Sequence, residues 1–193
     1  MEERDVAAVP AAVAQTRLTG MVERYQGALF GFLRGVLGDE EQARDLTQDV
    51  FCDAWRAMLR NMTPFASDAP EPVIRQWLFR TAYHRAMSAL RRRRVVRWEP
   101  LDDPDAASLM PKIAVPSFES AIAEGAALRA ALDQLSPPDV ACLLLRVVHG
   151  LTAAETAAIL GWTVEAANKR LSRAKQRLLL AYTRENGGKE GAR

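Results

Sequence analysis

Apolar residues in the first third of the chain recur three or four positions apart, the spacing that lines one face of an α-helix. The stretch "VERYQGALFGFLRGVLG" brings Tyr25, Leu29, Phe32, Leu33 and Val36 to one side, and Gly38 stops it. Asp39 then opens a second helix, "EEQARDLTQDVFCDAWRAMLR", with Gln42 in the capping-box position. Ala43, Leu46, Val50, Phe51 and Ala54 point inward there, which leaves Asp45, Gln48, Asp49 and Asp53 on the outer face. Pro, Ser and Asp mark residues 61–72 as a loop. A long helix follows, "VIRQWLFRTAYHRAMSALRRRR", with Ile74, Trp77, Leu78, Thr81, Ala82, Ala89 and Leu90 inward. No stretch carries a convincing strand pattern.

The pattern breaks after the arginine run. Residues 95–116 hold Pro100, Pro104, Pro111 and Pro116 with the acids Asp102, Asp103 and Asp105, and prolines so spaced forbid a continuous helix. Helical periodicity resumes in an Ala-rich segment at about 118–134. Ser136 is placed to cap the next helix, with Pro137 at its first position and Asp139 three residues after the cap. That helix should run to His149 and end at Gly150. Thr152 with Glu155 forms another capping box, Gly161 turns the chain, and Thr163 caps a last helix. The fold class is therefore all-α: two small helical bundles joined by a Pro-rich acidic linker. The boundaries read as an N-terminal tail 1–20, a first domain 21–94, a linker 95–117, a second domain 118–183, and a disordered tail 184–193.

"LTAAETAAILGWTVEAANKRLSRAKQRL" (151–178) has the layout of a helix-turn-helix, in which the first helix braces a second that lies in the DNA major groove. Val164, Ala167, Leu171, Ala174 and Leu178 form the inward stripe. Glu165, Asn168, Lys169, Ser172, Arg173 and Gln176 face out, flanked by Arg170 and Arg177. Asn can pair with adenine, Arg and Lys with guanine, Glu with cytosine, and the remaining cations with phosphates. The bland alternative is a helical hairpin with a solvated basic face.

Charge sharpens two further surfaces. The net charge of +2, with 49% hydrophobic and 26% charged residues, fits an ordinary globular protein and by itself implies no nucleic acid. Along the helix that ends "LRRRRVVRW", however, Arg80, Tyr83, His84, Met87 and Arg91 share one face. Cations mixed with aromatics can follow a phosphate backbone and stack unpaired bases. The stripe of Asp45, Gln48, Asp49 and Asp53 would repel DNA, so it suits a basic protein partner if it is more than a solvated face.

Other chemistry is poorly supported. There are two histidines, no Gly-rich phosphate loop, no metal-ligand spacing and no nucleophile–base set, so neither an enzyme, a metal site nor a cofactor is expected. Cys52 and Cys142 read as two buried thiols. The acidic N-terminus is no export signal, and no run is long enough to insert in a bilayer, so a cytoplasmic location is expected.

In order and content the two halves resemble the extracytoplasmic-function (ECF) sigma factors, promoter-specificity subunits of bacterial RNA polymerase. "GDEEQARDLTQDVFCDAWRA" and "WLFRTAYHRAMSALRRRR" are similar to the family's region 2. "ALDQLSPPDVACLLLRVVHGLTAAETAAILGWT" and "KRLSRAKQRL" are similar to its region 4. The resemblance implies that Asp45, Gln48, Asp49 and Asp53 dock on the clamp helices of the largest polymerase subunit. It implies that loop 61–72 and the helix after it open the −10 element, with Asn61, Phe65, Arg80, Tyr83, His84 and Arg91 as contacts. The last helix would read the −35 element through Glu165, Asn168, Lys169, Arg170, Ser172, Arg173 and Arg177. Core RNA polymerase, promoter DNA and an anti-sigma factor are the implied partners. Ala82-Tyr83-His84 and Val164 to Lys169 depart from the family's common residues, which bears on the promoter sequence read, not on the fold. The competing class is a stand-alone helix-turn-helix regulator, for which the acidic stripe would be idle.

Overall fold

The computed structural model describes residues 11–60, 62, 64–65, 69–96 and 119–190, and every regular element among them is helical. Helices α1 (Ala11–Leu37), α2 (Glu40–Leu59) and α3 (Glu71–Val96) build the first bundle. α1 buries Tyr25, Leu29, Phe32, Leu33 and Val36 as their spacing predicts. It also begins well before residue 21: Ala14 is buried, Leu18 packs on the core, and Met21 completes the same stripe. Half of the expected tail is therefore helix, because Ala14, Leu18, Met21 and Tyr25 continue one face across it.

Gly38, at φ +70°, ends α1 in the left-handed conformation that favours glycine. Asp39 caps α2, its Oδ1 accepting from the Gln42 N–H at 2.9 Å. Its other carboxylate oxygen accepts from Arg93 of α3, tying the cap to the third helix. The Gln42 N–H and then Arg93 hold the Asp39 carboxyl below its ordinary value. The expected linker lies outside the described residues, apart from Val95 and Val96, which end α3.

The second bundle comprises α4 (Glu119–Asp133), α5 (Pro137–Leu143), a π-helical stretch (Leu144–Val148), α6 (Ala153–Leu160) and α7 (Val164–Glu190). Ser136 does not cap α5 as the sequence suggested. The Asp139 N–H bonds the Ser136 carbonyl instead, and Pro138 has no N–H to offer. The Ser136 hydroxyl donates to the Asp139 carboxylate at 2.7 Å. The single helix expected up to His149 widens after Leu143, where the His149 N–H reaches back to the Leu144 carbonyl at 3.0 Å. Thr152 and Glu155 form the predicted capping box, Gly161 turns the chain at φ +71°, and the Thr163 hydroxyl accepts from the Ala166 N–H. α7 runs on to Glu190, past Gly187 and Gly188, so most of the expected disordered tail is helical. Each glycine there costs only about 1 kcal/mol in a helix.

The two bundles pack on each other, and one buried apolar cluster continues through both. α1 lies against α5 and the π-helical stretch, and α3 lies against α6. Phe32 and Phe79 meet edge to face with centroids 5.4 Å apart. The His149 ring, from the second bundle, stands 6.2 Å from Phe32 and 4.7 Å from Phe79. Phe79 had no part in the expected inward stripe, and its burial is explained by this second layer.

Candidate functional site

The helix-turn-helix is built as its spacing requires. Ala167 and Ala174 are buried, Leu171 and Leu178 pack on the core, and Val164 alone of the inward stripe is exposed, at 46%. Glu165, Asn168, Lys169, Arg170, Ser172, Arg173 and Arg177 are all exposed. Their partners divide them. Lys169 pairs with Glu165 one turn earlier at 2.7 Å, an exposed contact that DNA could displace at little cost. Arg170 and Arg177 instead turn toward Asp139 of α5, at 3.4 and 3.6 Å. The Arg170 guanidinium also sits 4.5 Å from the centroid of the Trp162 ring. These two arginines fasten α7 to its scaffold, and Asn168, Lys169, Ser172 and Arg173 are left as the outward set. Sequence reasoning missed Asp139, which at 7% exposure is nearly hidden.

On α3, Arg80, His84 and Arg91 are exposed along one face. Burial, then the Arg80 and Arg91 charges, lower the His84 imidazole below its usual value. Tyr83 does not join them: it is 7% exposed. Burial pushes its phenol up, against a smaller pull from Arg170 of the second bundle. Phe65 is likewise buried, at 3%, its ring edge to face with Trp77 at 4.8 Å. Neither ring offers a face to an unpaired base in this arrangement, because each is spent on packing. Asn61 lies outside the described residues. Beneath the loop, a cleft of about 250 Å³ is lined by Arg17, Arg24, Tyr25, Phe65, Glu71 and Ile74. Tyr25 donates to Glu71 there, and burial together with that bond pushes the phenol up to about 12.

The α2 stripe is in place, with Asp45, Gln48 and Asp49 exposed and Asp53 half-buried. Arg85 of α3 reaches across it, donating to Asp49 Oδ2 at 2.7 Å and to Asp53 Oδ2 at 2.8 Å. Asp53 also takes Arg56 at 3.3 Å. Half of the stripe is thus neutralised within the fold, and Asp45 with Gln48 forms its open end. No spacing rule could have found Arg85, which lies more than thirty residues from both acids. Gln48 edges a cleft of about 530 Å³ floored by Val22, Phe30 and Phe51 between α1 and α2.

Cys142 is buried and its thiol raised by that burial, whereas Cys52 is exposed, contrary to expectation. Cys52 falls three positions after Asp49, on the outer side of α2. Among the described residues no three His, Cys, Asp or Glu side chains gather as metal ligands. No helix among them is long and apolar enough to cross a membrane.

Comparison with known proteins bears on these surfaces directly. Residues 21–95 match the family model for sigma-70 region 2, and residues 125–178 match that for sigma-70 region 4. The chain is 30% identical to the RNA polymerase sigma factor CnrH of Cupriavidus metallidurans over 183 residues, covering 91% of this chain and 92% of CnrH. It is 29% identical to the ECF RNA polymerase sigma factor SigG of Mycobacterium tuberculosis, with 88% of this chain matched to 50% of SigG. Among solved structures, CnrH in complex with the cytosolic domain of CnrY aligns at TM-score 0.59 and 26% identity, covering 88% of this chain and 92% of that one. The sigma factor RpoE of Bartonella quintana, in complex with the anti-sigma factor NepR, aligns at TM-score 0.62 and 21% identity, over 86% of this chain and 96% of that one, and shares the fold. With both regions matched in order, and CnrH similar over nearly its whole length, the chain belongs to the ECF RNA polymerase sigma factors.

Proposed function

We propose that the chain is an alternative sigma factor that binds core RNA polymerase and directs initiation at promoters with their own −35 and −10 elements. Residues 21–94 dock on the polymerase clamp helices and open the −10 element, residues 118–183 read the −35 element, and 95–117 join them. The observation that carries this reading is the opposite sign of two exposed surfaces. Asp45, Gln48 and Asp49 face out from α2, while Asn168, Lys169, Ser172 and Arg173 face out from α7. DNA is drawn to the second surface and repelled by the first, so the first is left for protein.

The division of roles follows from the geometry. Asn168 and Arg173 are base readers, and Lys169 pairs with phosphate once Glu165 releases it. Arg170 and Arg177 hold α7 in register through Asp139. Arg80, His84 and Arg91 run along the −10 strand. The chain performs no chemistry; binding energy at these faces offsets the few kcal/mol of unstacking that an opened base costs. Among the solved relatives, CnrH is bound to a cytosolic domain and RpoE to an anti-sigma factor, which supports control of this chain by such a partner in the cytoplasm.

The test is to mix the purified chain with core RNA polymerase and sheared host DNA, then measure co-elution and run-off transcription. Co-elution with new, discrete transcripts is expected. A chain that shifts duplex DNA yet fails to join active core would be a stand-alone regulator instead.

A further inference from the structure

The seam between the bundles is assembled from residues that neither proposed surface uses. The Arg75 Nη2 of α3 donates to Glu155 Oε1 of α6 at 2.9 Å, with both side chains largely buried. The same Glu155 accepts from the Thr152 N–H through its other oxygen, so the capping box of the helix-turn-helix is fastened to the first bundle. His149 is lodged beside Phe32 and Phe79. Leu144 packs so tightly on α1 that a Cβ added at Gly35 would stand 2.5 Å from its Cδ1. At the far end of the seam, the charge of Arg170 on α7 is felt by Tyr83 of α3.

That proximity sets the helix proposed for the −35 element beside the helix proposed for the −10 element. By their numbering these elements lie about 25 base pairs apart, or about 85 Å of duplex at about 3.4 Å per pair. α7 has 27 residues and is about 40 Å long at about 1.5 Å per residue. A molecule whose two reading helices lie this close cannot engage both elements at once. The chain between Val96 and Glu119 can extend to at most about 80 Å, enough to let the bundles separate.

We propose that this seam is an autoinhibitory latch: the Arg75–Glu155 pair, the His149 wedge and the Leu144–Gly35 contact hold the two bundles closed, and promoter reading requires their separation. The latch rests on the sigma-factor reading for its consequence, but not for its existence. Its strength sets how much free chain is competent to join polymerase and DNA.

Small-angle scattering of the full-length chain, paired with run-off transcription at limiting core polymerase, tests both parts. Arg75→Glu places a carboxylate against Glu155 and should enlarge the radius of gyration and raise transcript yield several-fold. Adding Glu155→Gln, which a capping box tolerates, should bring both values back toward wild type. Gly35→Leu drives a wedge under Leu144 without touching any charge, and it should open the molecule independently. Thermal unfolding verifies that each variant is folded. Folded single variants with unchanged scattering would overturn the latch. Opened variants that transcribe no better than wild type would overturn its inhibitory role. Absence of transcript from every form, wild type included, would sink the promoter reading, while the scattering still decides whether the seam holds.

Discussion

Asp139 carries more of the second bundle than its place in the sequence suggests. One buried carboxylate receives the Ser136 hydroxyl and faces Arg170 and Arg177, two turns apart on α7. A charged acceptor with several donors is a strong anchor, and removing it strands the donors. Asp139→Ala should therefore cost about 1–3 kcal/mol, read as a lower midpoint in thermal unfolding. Asp139→Asn keeps an acceptor for Ser136 and should lose less. The two arginines are largely exposed and can turn to water, so the greater part of the loss belongs to Ser136 and the packing around it. A midpoint unmoved by Asp139→Ala would mean that α7 is held by its apolar stripe alone.

At the scale of the element, α2 and α7 pair a buried stripe with an exposed one of a single sign. On α2, Arg85 already occupies Asp49 and Asp53, so reversing either charge disturbs the fold as well as the surface. Asp45 is the cleaner probe. Asp45→Arg should leave the unfolding midpoint in place and weaken association with core polymerase at least tenfold, about 1.4 kcal/mol. Wild-type affinity in that variant would remove the acidic stripe from the docking surface. On α7, Lys169→Ala with Arg173→Ala should flatten the salt dependence of DNA binding, by about one unit of slope for each phosphate that is no longer neutralised. Arg170→Ala acts through the Trp162 stack and Asp139, so its effect should fall on stability and leave that slope nearly unchanged. A steep fall in slope for Arg170→Ala would place its guanidinium on the DNA.

At the scale of the molecule, what could be read in the sequence follows the range of each interaction. The caps at Asp39, Thr152 and Thr163, the left-handed glycines and the apolar stripes are local, and they stand where spacing put them. Burial of Tyr83 and Phe79 and the Arg85 bridge depend on partners from other helices, and no periodicity reveals those. Nor could the sequence say that the bundles close on each other. His149 is where that closure meets solution conditions. Its burial between Phe32 and Phe79, and then the Arg75 charge, lower the imidazole below its ordinary value. Glu155, the one carboxylate at that end of the seam, is already engaged by Arg75 and Thr152. A group with a depressed value in the closed form binds its proton better in the open one. The stability that neutral His149 gives the closed form is thus whole above the usual imidazole value of about 6.5, and is lost as pH falls from there through the lowered value. Acidification from pH 7.5 toward 5.5 should therefore expand the chain in solution scattering before the helices melt in circular dichroism. His149→Phe keeps a ring in the slot without the proton and should abolish that expansion. Expansion with the same midpoint in His149→Phe would assign the transition to another group, His84 being the remaining histidine.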